Sequence, residues 1–201
     1  MSPARVAVVT PCFNEADGIV TFAHSVFEEF SKLKEKYPQF LFYLVMVDDG
    51  SADSTWKKIQ QIKSQAKFPV MGLRFSRNFG HQAAICAGLD YAYSEIMNSD
   101  EDTFVIMDSD GQHPVEFLSS LLAARAEGFH HAQMVRSDKS GKFFKRSTAK
   151  MFYRVFRFLS GLKLPTGSAD FRAFSGLFLK EYLRFNEAVR FNRGLFHWLG
   201  F

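Results

Sequence analysis

The 201-residue sequence contains only two cysteines, Cys12 and Cys86. A framework of disulfide bonds is therefore not expected, and a reducing compartment, by default the cytoplasm, is predicted. No stretch reaches the roughly 18 apolar residues that a membrane-spanning helix needs, and the first ten residues lack the pattern of a signal peptide. The chain as given is thus predicted to be peripheral to a membrane at most.

Two common phosphate-binding motifs are also absent. The sequence contains neither GxGxxG nor GxxxxGK followed by serine or threonine, so neither a Rossmann dinucleotide site nor a P-loop is supported. A nucleotide bound by this chain would need its phosphates held differently, and a bound cation would serve.

The composition is that of a globular protein, with 47% hydrophobic and 23% charged residues, and the length fits one domain. The net charge of +4 favours anionic partners without choosing among nucleic acid, lipid head groups and phosphorylated substrates. The 24 phenylalanines need burial in a core, in an interface or at the apolar edge of a bilayer.

Short apolar, β-branched runs alternate with longer stretches of helical character. The pattern predicts strands at residues 5–10, 41–47, 70–75 and 103–107, with helices at residues 18–36, 54–65 and 81–98. This order predicts an α/β domain with a mainly parallel sheet flanked by helices. In such sheets ligands bind beyond the carboxyl ends of the strands, so the residues that follow each strand are the candidates for function.

Four of these loops are polar: residues 11–15, 48–51, 76–80 and 108–114. In the last, Asp108, Asp110 and Gln112 offer three hard oxygen donors suited to Mg²⁺ or Mn²⁺. A DxD pattern alone is more often a solvated turn. Asp48 and Asp49 likewise have two interpretations, a turn before a capped helix or acceptors for a base N–H and ribose hydroxyls.

Residues 142–159 form a predicted basic amphipathic helix. Between residues 142 and 157 the chain carries six cations and no acid: Lys142, Lys145, Arg146, Lys150, Arg154 and Arg157. The opposite face is apolar, with Phe144, Met151, Phe152, Val155, Phe158 and Leu159. Such a face usually packs on a core, but the unbroken positive charge favours an anionic membrane surface.

Five motifs in order resemble the family 2 glycosyltransferases with the GT-A fold. The motifs are PCFNE at residues 11–15, VDDGS at 47–51, SRNFGHQAA at 76–84, DSDGQHP at 108–114 and DFR at 170–172. Within this family the chain is similar to the polyprenyl-phosphate glycosyltransferases, which include dolichyl-phosphate mannose synthase and the bactoprenol glucosyltransferases. The QxxRW signature of the processive polysaccharide synthases is missing.

The resemblance implies a role for each matched residue. The nucleotide site would comprise Pro11, Phe13, Glu15, Asp48, Asp49, Arg77 and Asp108. Asp108, Asp110 and Gln112 would hold Mg²⁺ or Mn²⁺, and Asp110, Asp170 and Arg172 would be catalytic. Arg136 and Arg146 would bind the acceptor phosphate. For Arg77 a structural carboxylate is an equally good partner.

The implied reaction transfers a sugar, with inversion, from a UDP- or GDP-linked donor to a polyprenyl phosphate at the cytoplasmic face of a membrane. A hydroxyl acceptor on a polysaccharide or soluble glycan is the alternative, in which case Asp170 would be the base. A non-catalytic membrane-surface or nucleic-acid binding module is the alternative from another class, and the DxD and DFR motifs argue against it. A nucleic-acid partner is therefore not expected, and a homo-oligomer is left open.

The resemblance also predicts how the chain is organised. Residues 1–136 would form the nucleotide-sugar-binding core and residues 137–201 the acceptor and membrane-interface region. Relatives of the bactoprenol type carry membrane spans near their carboxyl terminus, so the parent protein is expected to continue into such spans. Among the other residues, Cys12 is predicted to be packed, His81 to begin its helix, and His130 and His131 to form a surface pair.

Overall fold

The computed structural model describes residues 4–111, 113–135, 168–185 and 192–200. Its strands are β1 (Arg5–Cys12), β2 (Leu41–Asp48), β3 (Val70–Arg74), β4 (Thr103–Ile106), β5 (His131–Val135) and β6 (Ser168–Ser175). Its α-helices are α1 (Ile19–Lys36), α2 (Thr55–Gln65), α3 (His81–Tyr91), α4 (Leu118–Ala126), α5 (Gly176–Leu183) and α6 (Asn192–Trp198). The predicted basic helix at 142–159 lies outside the described residues.

The described strands form one sheet in the order β3-β2-β1-β4-β6-β5. Strands β3, β2, β1 and β4 are mutually parallel, whereas β6 runs antiparallel to both β4 and β5. The carboxyl ends of β1, β2 and β4 therefore meet at one edge, and the amino-terminal end of β6 joins them there. The expected α/β fold with a mainly parallel sheet is confirmed.

Helices cover both faces of the sheet. Alternate residues of β1 point to opposite sides: Val6 and Val8 pack with α1, α2 and α4, while Ala7 and Val9 pack with α3, α5 and α6. Both faces of this strand are therefore buried, which explains why it reads as a continuous apolar run. Many of the phenylalanines fill these two cores, including Phe30 on one side and Phe174 on the other.

Helix α3 lies unusually close to the sheet because of Gly88. A Cβ at this position would come within 2.4 Å of Val9 Cγ1 and 2.9 Å of Val47 Cγ2, so a larger residue would push the helix away. The close approach packs α3 on β1 and β2, and His81 is the first residue of this helix.

Two features differ from the prediction. The α-helix predicted at 81–98 ends at Tyr91 and continues as a π-helical turn at Ala92–Ile96, in which Met97 N–H donates to the carbonyl of Ala92 and Met97 is buried. Strands β5 and β6 were not predicted individually. Within the described residues no helix combines the length and apolarity needed to cross a membrane.

Candidate functional site

A cleft opens at the edge of the sheet where β1, β2 and β4 end. It is lined by Pro11, Cys12, Phe13, Glu15, Asp49, Asn78, His81, Asp108, Ser109 and Asp110. Its volume of about 230 Å³ is below the roughly 300–1,000 Å³ of pockets that enclose a ligand. The described walls thus form an open groove into which residues from four polar loops converge.

The loop after β1 is fastened to the loop after β2. Asn14 N–H donates to Ser51 Oγ at 2.9 Å, and Ala52 N–H donates back to Asn14 Oδ1 at 3.0 Å. Asn14 has a φ of 55°, a left-handed conformation that asparagine tolerates better than most residues. This reciprocal pair fixes the backbone beside Phe13, whose side chain is 45% exposed along the cleft.

Glu15 is held one residue further along. Its N–H donates to Thr55 Oγ1 at 2.9 Å, and the next N–H, that of Ala16, donates to Asp53 Oδ2 at 3.0 Å. Burial raises the pKa of Glu15, and the carboxylates of Asp110 and Asp53 raise it further. A cation in the cleft would relieve this repulsion between Glu15 and Asp110.

Asp49 connects the cleft to the loop after β3. Its two oxygens accept from Phe79 N–H at 2.7 Å and Gly80 N–H at 2.9 Å, and the residue is only 2% exposed. The neighbouring Gly50 has a φ of 68°, and a Cβ there would lie 2.3 Å from the carbonyl carbon of Arg77. The turn after β2 and the loop at 76–80 are therefore in direct backbone contact.

Two residues predicted for the nucleotide site do not line the cleft. Asp48 is fully buried, accepts from Ser51 N–H at 3.0 Å and lies 3.4 Å from Arg74 Nε. Arg77 is exposed and its guanidinium lies 4.1 Å from the centre of the Phe79 ring. In the structure Asp48 therefore supports the turn that presents Asp49, and Arg77 contacts a neighbouring aromatic ring.

The opposite wall is built around Asp108. Its Oδ1 lies 3.4 Å from His81 Nε2, and its Oδ2 lies 3.6 Å from His113 Nε2. Burial raises the pKa of Asp108, and the carboxylates of Asp170 and Asp110 push in the same direction while the two histidines oppose it. Asp108 is thus a partly desolvated carboxylate between two imidazoles.

Asp170 reaches this wall through the antiparallel register of β6. Ile106 pairs with Arg172, so two residues back along β6 Asp170 is level with Asp108. His81 Nε2 lies 3.8 Å from Asp170 Oδ2. Arg172 itself is fully buried, with its guanidinium 5.3 Å from the centre of the Phe196 ring and 3.5 Å from Asp170 Oδ1. Neither of these two predicted catalytic residues lines the cleft, but Asp170 lies beside His81, which does.

The described residues offer part of a metal site. Among them no group of three or more His, Cys, Asp or Glu side chains is arranged to hold an ion. Asp108 Oδ1 is buried without a hydrogen-bond partner, however, and Asp110 is exposed in the same cleft. Two carboxylates completed by substrate phosphates and water are a common arrangement for Mg²⁺. The residues Gln112, Arg136 and Arg146 lie outside the described residues.

The expectations for two other residues, Cys12 and His131, can be compared with the structure. Cys12 is packed as predicted, and burial raises the pKa of its thiol to about 12. The surface location predicted for His131 is wrong: its ring stacks on Phe174 with centroids 5.1 Å apart. Burial, then the nearby Arg172 and His197, lower the pKa of His131 to about 4. Strand pairing between β5 and β6 turns this ring toward the core.

Several residues of the site were not assigned from the sequence. The sequence predicts only that His81 begins its helix, and it assigns no role to His113, which belongs to the DSDGQHP motif. Asn14, Ser51 and Thr55 supply the hydrogen bonds that join two loops. The sequence indicates a role for these residues only through their position in or next to the polar loops that follow strands. The contacts between the loops depend on the order of the strands in the sheet.

Comparison with known proteins adds the family. The model of glycosyl transferase family 2 matches residues 7–185. The chain is 34% identical over 198 residues to "Uncharacterized glycosyltransferase YkcC" of Bacillus subtilis (strain 168), covering 98% of this chain and 57% of that protein. It is 31% identical over 198 residues to "Bactoprenol glucosyl transferase" of Shigella phage SfV, covering 98% of this chain and 60% of that protein.

Among solved structures the chain is similar to S. aureus TarS 1-349. The TM-score is 0.62 at 16% identity, and the match covers 97% of this chain and 54% of that one. The same protein in complex with UDP gives a TM-score of 0.57 at 18% identity, covering 89% of this chain and 48% of that one. These likenesses show a shared fold. The chain spans less than two thirds of the length of these relatives.

Proposed function

The chain belongs to glycosyl transferase family 2, and on this basis we propose that it transfers a sugar from a nucleotide diphosphate sugar to a polyprenyl phosphate at a membrane surface. The observation that carries the proposal is the convergence of Glu15, Asp49, Asp108 and Asp110 in one open cleft at the carboxyl edge of the sheet. An edge of this kind is where α/β sheets bind nucleotides.

The first wall of the cleft suits the nucleoside of the donor. Pro11 and the half-exposed ring of Phe13 offer apolar contact for a base, and Asp49 lies beside them. Each carboxylate oxygen of Asp49 accepts one backbone N–H, which leaves lone pairs for hydroxyl or N–H groups of a ligand. Because S. aureus TarS was crystallised with UDP, UDP-linked sugars are the first donors to test.

The second wall suits the diphosphate. Asp108 and Asp110 would hold Mg²⁺ or Mn²⁺ together with oxygens of the donor, with Gln112 as a further proposed ligand. Bound there, the cation would stabilise the negative charge that grows on the departing nucleoside diphosphate. Burial raises the pKa of both Asp108 and Glu15, and nearby carboxylates raise it further, so a cation bound in this cleft would be favoured by both groups.

The reaction with a phosphate acceptor needs no strong base. An oxygen of the acceptor phosphate forms the new bond to the anomeric carbon while the bond from that carbon to the donor's β-phosphate breaks. The nucleoside diphosphate leaves with the electron pair, and a single displacement inverts the anomeric configuration. A phosphate monoester is already ionised near neutral pH, so the protein mainly has to position it.

The acceptor is proposed from the relatives and from the sequence. The bactoprenol glucosyl transferases are 31% identical over nearly the whole chain. Arg136 and Arg146 are the proposed phosphate ligands, because the planar guanidinium can donate two hydrogen bonds to a phosphate at once. The basic segment at 142–159 would bring the chain to an anionic membrane surface.

One observation favours a second acceptor class. Asp170 lies level with Asp108, and its Oδ2 is 3.8 Å from Nε2 of His81, which lines the cleft. If the acceptor were a hydroxyl on a glycan, Asp170 would be placed to accept its proton. This assignment differs from the first in requiring a base, and the acceptor assay separates the two.

The test is transfer of labelled sugar from UDP-glucose, UDP-N-acetylglucosamine or GDP-mannose, each with Mn²⁺ or with chelator. Each donor is offered a short polyprenyl phosphate and, in parallel, the matching polyprenol. We expect transfer to the phosphate only, and only with the metal. Equal transfer to the alcohol would refute the phosphate acceptor and favour Asp170 as a base. Transfer in chelator would refute the metal.

Membrane association is tested separately by sedimentation with anionic liposomes. We expect binding at low salt that weakens as salt rises, because the contact is electrostatic. Lys150→Gln with Arg154→Gln should reduce the pelleted fraction. Lys57→Gln with Lys63→Gln, which removes the same charge from α2, is the matched control and should leave it unchanged. Equal loss in both variants would point to net charge alone.

A further inference from the structure

Helix α6 contacts the back of the cleft at two separate places. The first is Asn192, which is 1% exposed. Its Oδ1 accepts from the Tyr182 hydroxyl at 2.7 Å, and its Nδ2 donates to the carbonyl of Gln82 at 3.4 Å. Gln82 lies in the first turn of α3, directly after His81. The start of α6 is thus attached to the turn that carries a cleft residue.

The second contact passes through Arg172. Phe196 lies about one helical turn after Asn192 along α6. Its ring is 5.3 Å from the Arg172 guanidinium. Arg172 Nη2 in turn lies 3.5 Å from Asp170 Oδ1. Arg172 is fully buried and does not line the cleft, and its contact with Asp170 connects it to the neighbour of His81.

The two contacts lead to neighbouring side chains. The Asn192 contact reaches the backbone next to His81, and the Phe196 contact reaches Asp170 through Arg172. The side chains of His81 and Asp170 lie 3.8 Å apart, and His81 lies 3.4 Å from Asp108. We propose that α6 is a positioning element of the active site, which holds His81 through Asn192 and Asp170 through Phe196 and Arg172. The inference rests on the proposed function for its kinetic part alone.

The contacts of Arg172 explain how α6 can hold Asp170 in position. Arg172 is held between an aromatic ring and a carboxylate, and a planar guanidinium adopts a defined orientation in such a stack. Around it the aromatic rings of Phe174, Phe178 and Tyr182 pack closely on Phe196. In a packed core a shift of α6 is transmitted to its neighbours, because there is no free volume to absorb it.

The first readout is structural and independent of activity. The chain has six histidines, of which His81 and His113 report on the cleft, His131 and His197 on the aromatic core, and exposed His24 on neither. Histidine side-chain NMR spectra of the 201-residue chain, at one pH and without metal, would be recorded for Phe196→Leu and Asn192→Ala. His81→Gln assigns the His81 signal. We expect both variants to shift that signal and leave that of His24 unchanged.

Phe104→Leu is the matched control. Phe104 is fully buried in the same core, where its ring lies 6.0 Å from that of Tyr93, and it belongs to β4 rather than to α6. It should lower the free energy of unfolding as Phe196→Leu does while leaving the His81 signal in place. Because Phe196→Leu could fail to fold, Asn192→Ala tests the other contact separately.

The second readout is kinetic. We expect kcat to fall by about ten-fold or more in Phe196→Leu, since small displacements of reacting groups have effects of this size. The KM for the donor should stay within about two-fold of the wild-type value, because the variant keeps the contacts that bind the donor in the ground state. An unmoved His81 signal in both variants, or an equal shift in Phe104→Leu, overturns the positioning role. Lack of transfer by the wild-type chain with every donor would instead refute the proposed function and leave the NMR result standing.

Discussion

The two walls of the cleft are held in different ways. The wall after β1 and β2 is joined by short hydrogen bonds of 2.7–3.0 Å between side chains and backbone N–H groups. The wall around Asp108 consists of carboxylate and imidazole side chains 3.4–3.8 Å apart, distances longer than those of typical hydrogen bonds. The first wall is therefore preformed, whereas the second has room to tighten around a ligand.

This difference separates two kinds of residue. On the first wall a polar side chain stabilises the fold as well as the site, because its removal leaves backbone donors without partners. On the second wall burial disfavours the charge of Asp108, and the carboxylates of Asp170 and Asp110 repel it, so these carboxylates contribute little to stability before a ligand binds. Substitutions on the first wall should thus lower stability more than turnover, and substitutions on the second wall should lower turnover more than stability.

The largest expected effect is on the second wall, at Asp110. Asp110→Asn should reduce the transfer rate by about 10²–10³-fold, as is typical when one group that stabilises the departing charge is removed. The free energy of unfolding should hardly change, because Asp110 is exposed. Transfer assays and urea melts measure the two quantities. Normal turnover in this variant would remove Asp110 from the proposed mechanism.

The next effect is on the first wall, at Asp49. The sequence alone suggests that Asp49→Ala weakens nucleotide binding without disturbing the fold, since turns tolerate substitution. The structure changes this expectation, because Asp49 is buried and accepts two backbone N–H groups. We expect a loss of about 3 kcal/mol in unfolding free energy, from two hydrogen bonds to a charged group. Urea melts measure it, and a loss of less than half this value would contradict the preformed wall.

Behind the second wall, His131 makes stability depend on pH. The pKa of His131 is about 4 in the folded chain and 6.5 in the unfolded chain. Between pH 4 and pH 6.5 the proton therefore binds mainly to the unfolded chain, and this binding lowers the free energy of unfolding. The contribution of this histidine is fully present above pH 6.5 and declines as pH falls toward 4. At pH 5 the loss should be about 2 kcal/mol.

His131→Phe keeps the stack on Phe174 and removes the titrating group. The variant should therefore lose less stability between pH 7.5 and pH 5 than the wild type, as measured by urea melts at the two pH values. His24→Phe, at an exposed position of α1, is the control and should keep the wild-type dependence. The same pH dependence in all three proteins would mean that other groups dominate.

The smallest expected effect is at Ser51. Ser51→Ala removes the acceptor for Asn14 N–H and should cost about 1 kcal/mol of unfolding free energy. Donor affinity should fall slightly and kcat should not change, which is the reverse of Asp110→Asn. Calorimetry with UDP and steady-state kinetics provide the comparison. A change in kcat alone would show that the two walls are coupled.

The sequence predicted the first wall better than the second. Alternating strands and helices were sufficient to place residues 11–15 and 48–51 at the same edge, because parallel neighbours end together. Gly50 belongs to the turn predicted at residues 48–51, and its positive φ agrees with that turn. Strand β1 was recognisable because burial on both faces makes its sequence continuously apolar.

The second wall depended on a pairing that no local pattern encodes. Asp170 is level with Asp108 only because β6 inserts antiparallel between β4 and β5. The inward direction of His131 has the same origin, since its ring is aligned with Phe174 across the β5–β6 pair. The resemblance to the family pointed to Asp170, but the burial of Arg172 behind it required the packing of α6.

The direction of β6 has a further consequence for chain entropy. Val135 at the end of β5 pairs with Ser168 at the start of β6, so the intervening residues 136–167 leave and re-enter the sheet at adjacent points on the edge that holds the cleft. The entropic cost of closing a loop grows slowly, by only about 0.6 kcal/mol for each doubling of its length. Because the two strand ends are adjacent in the sheet, this closing cost would change only slowly with the number of residues that separate them.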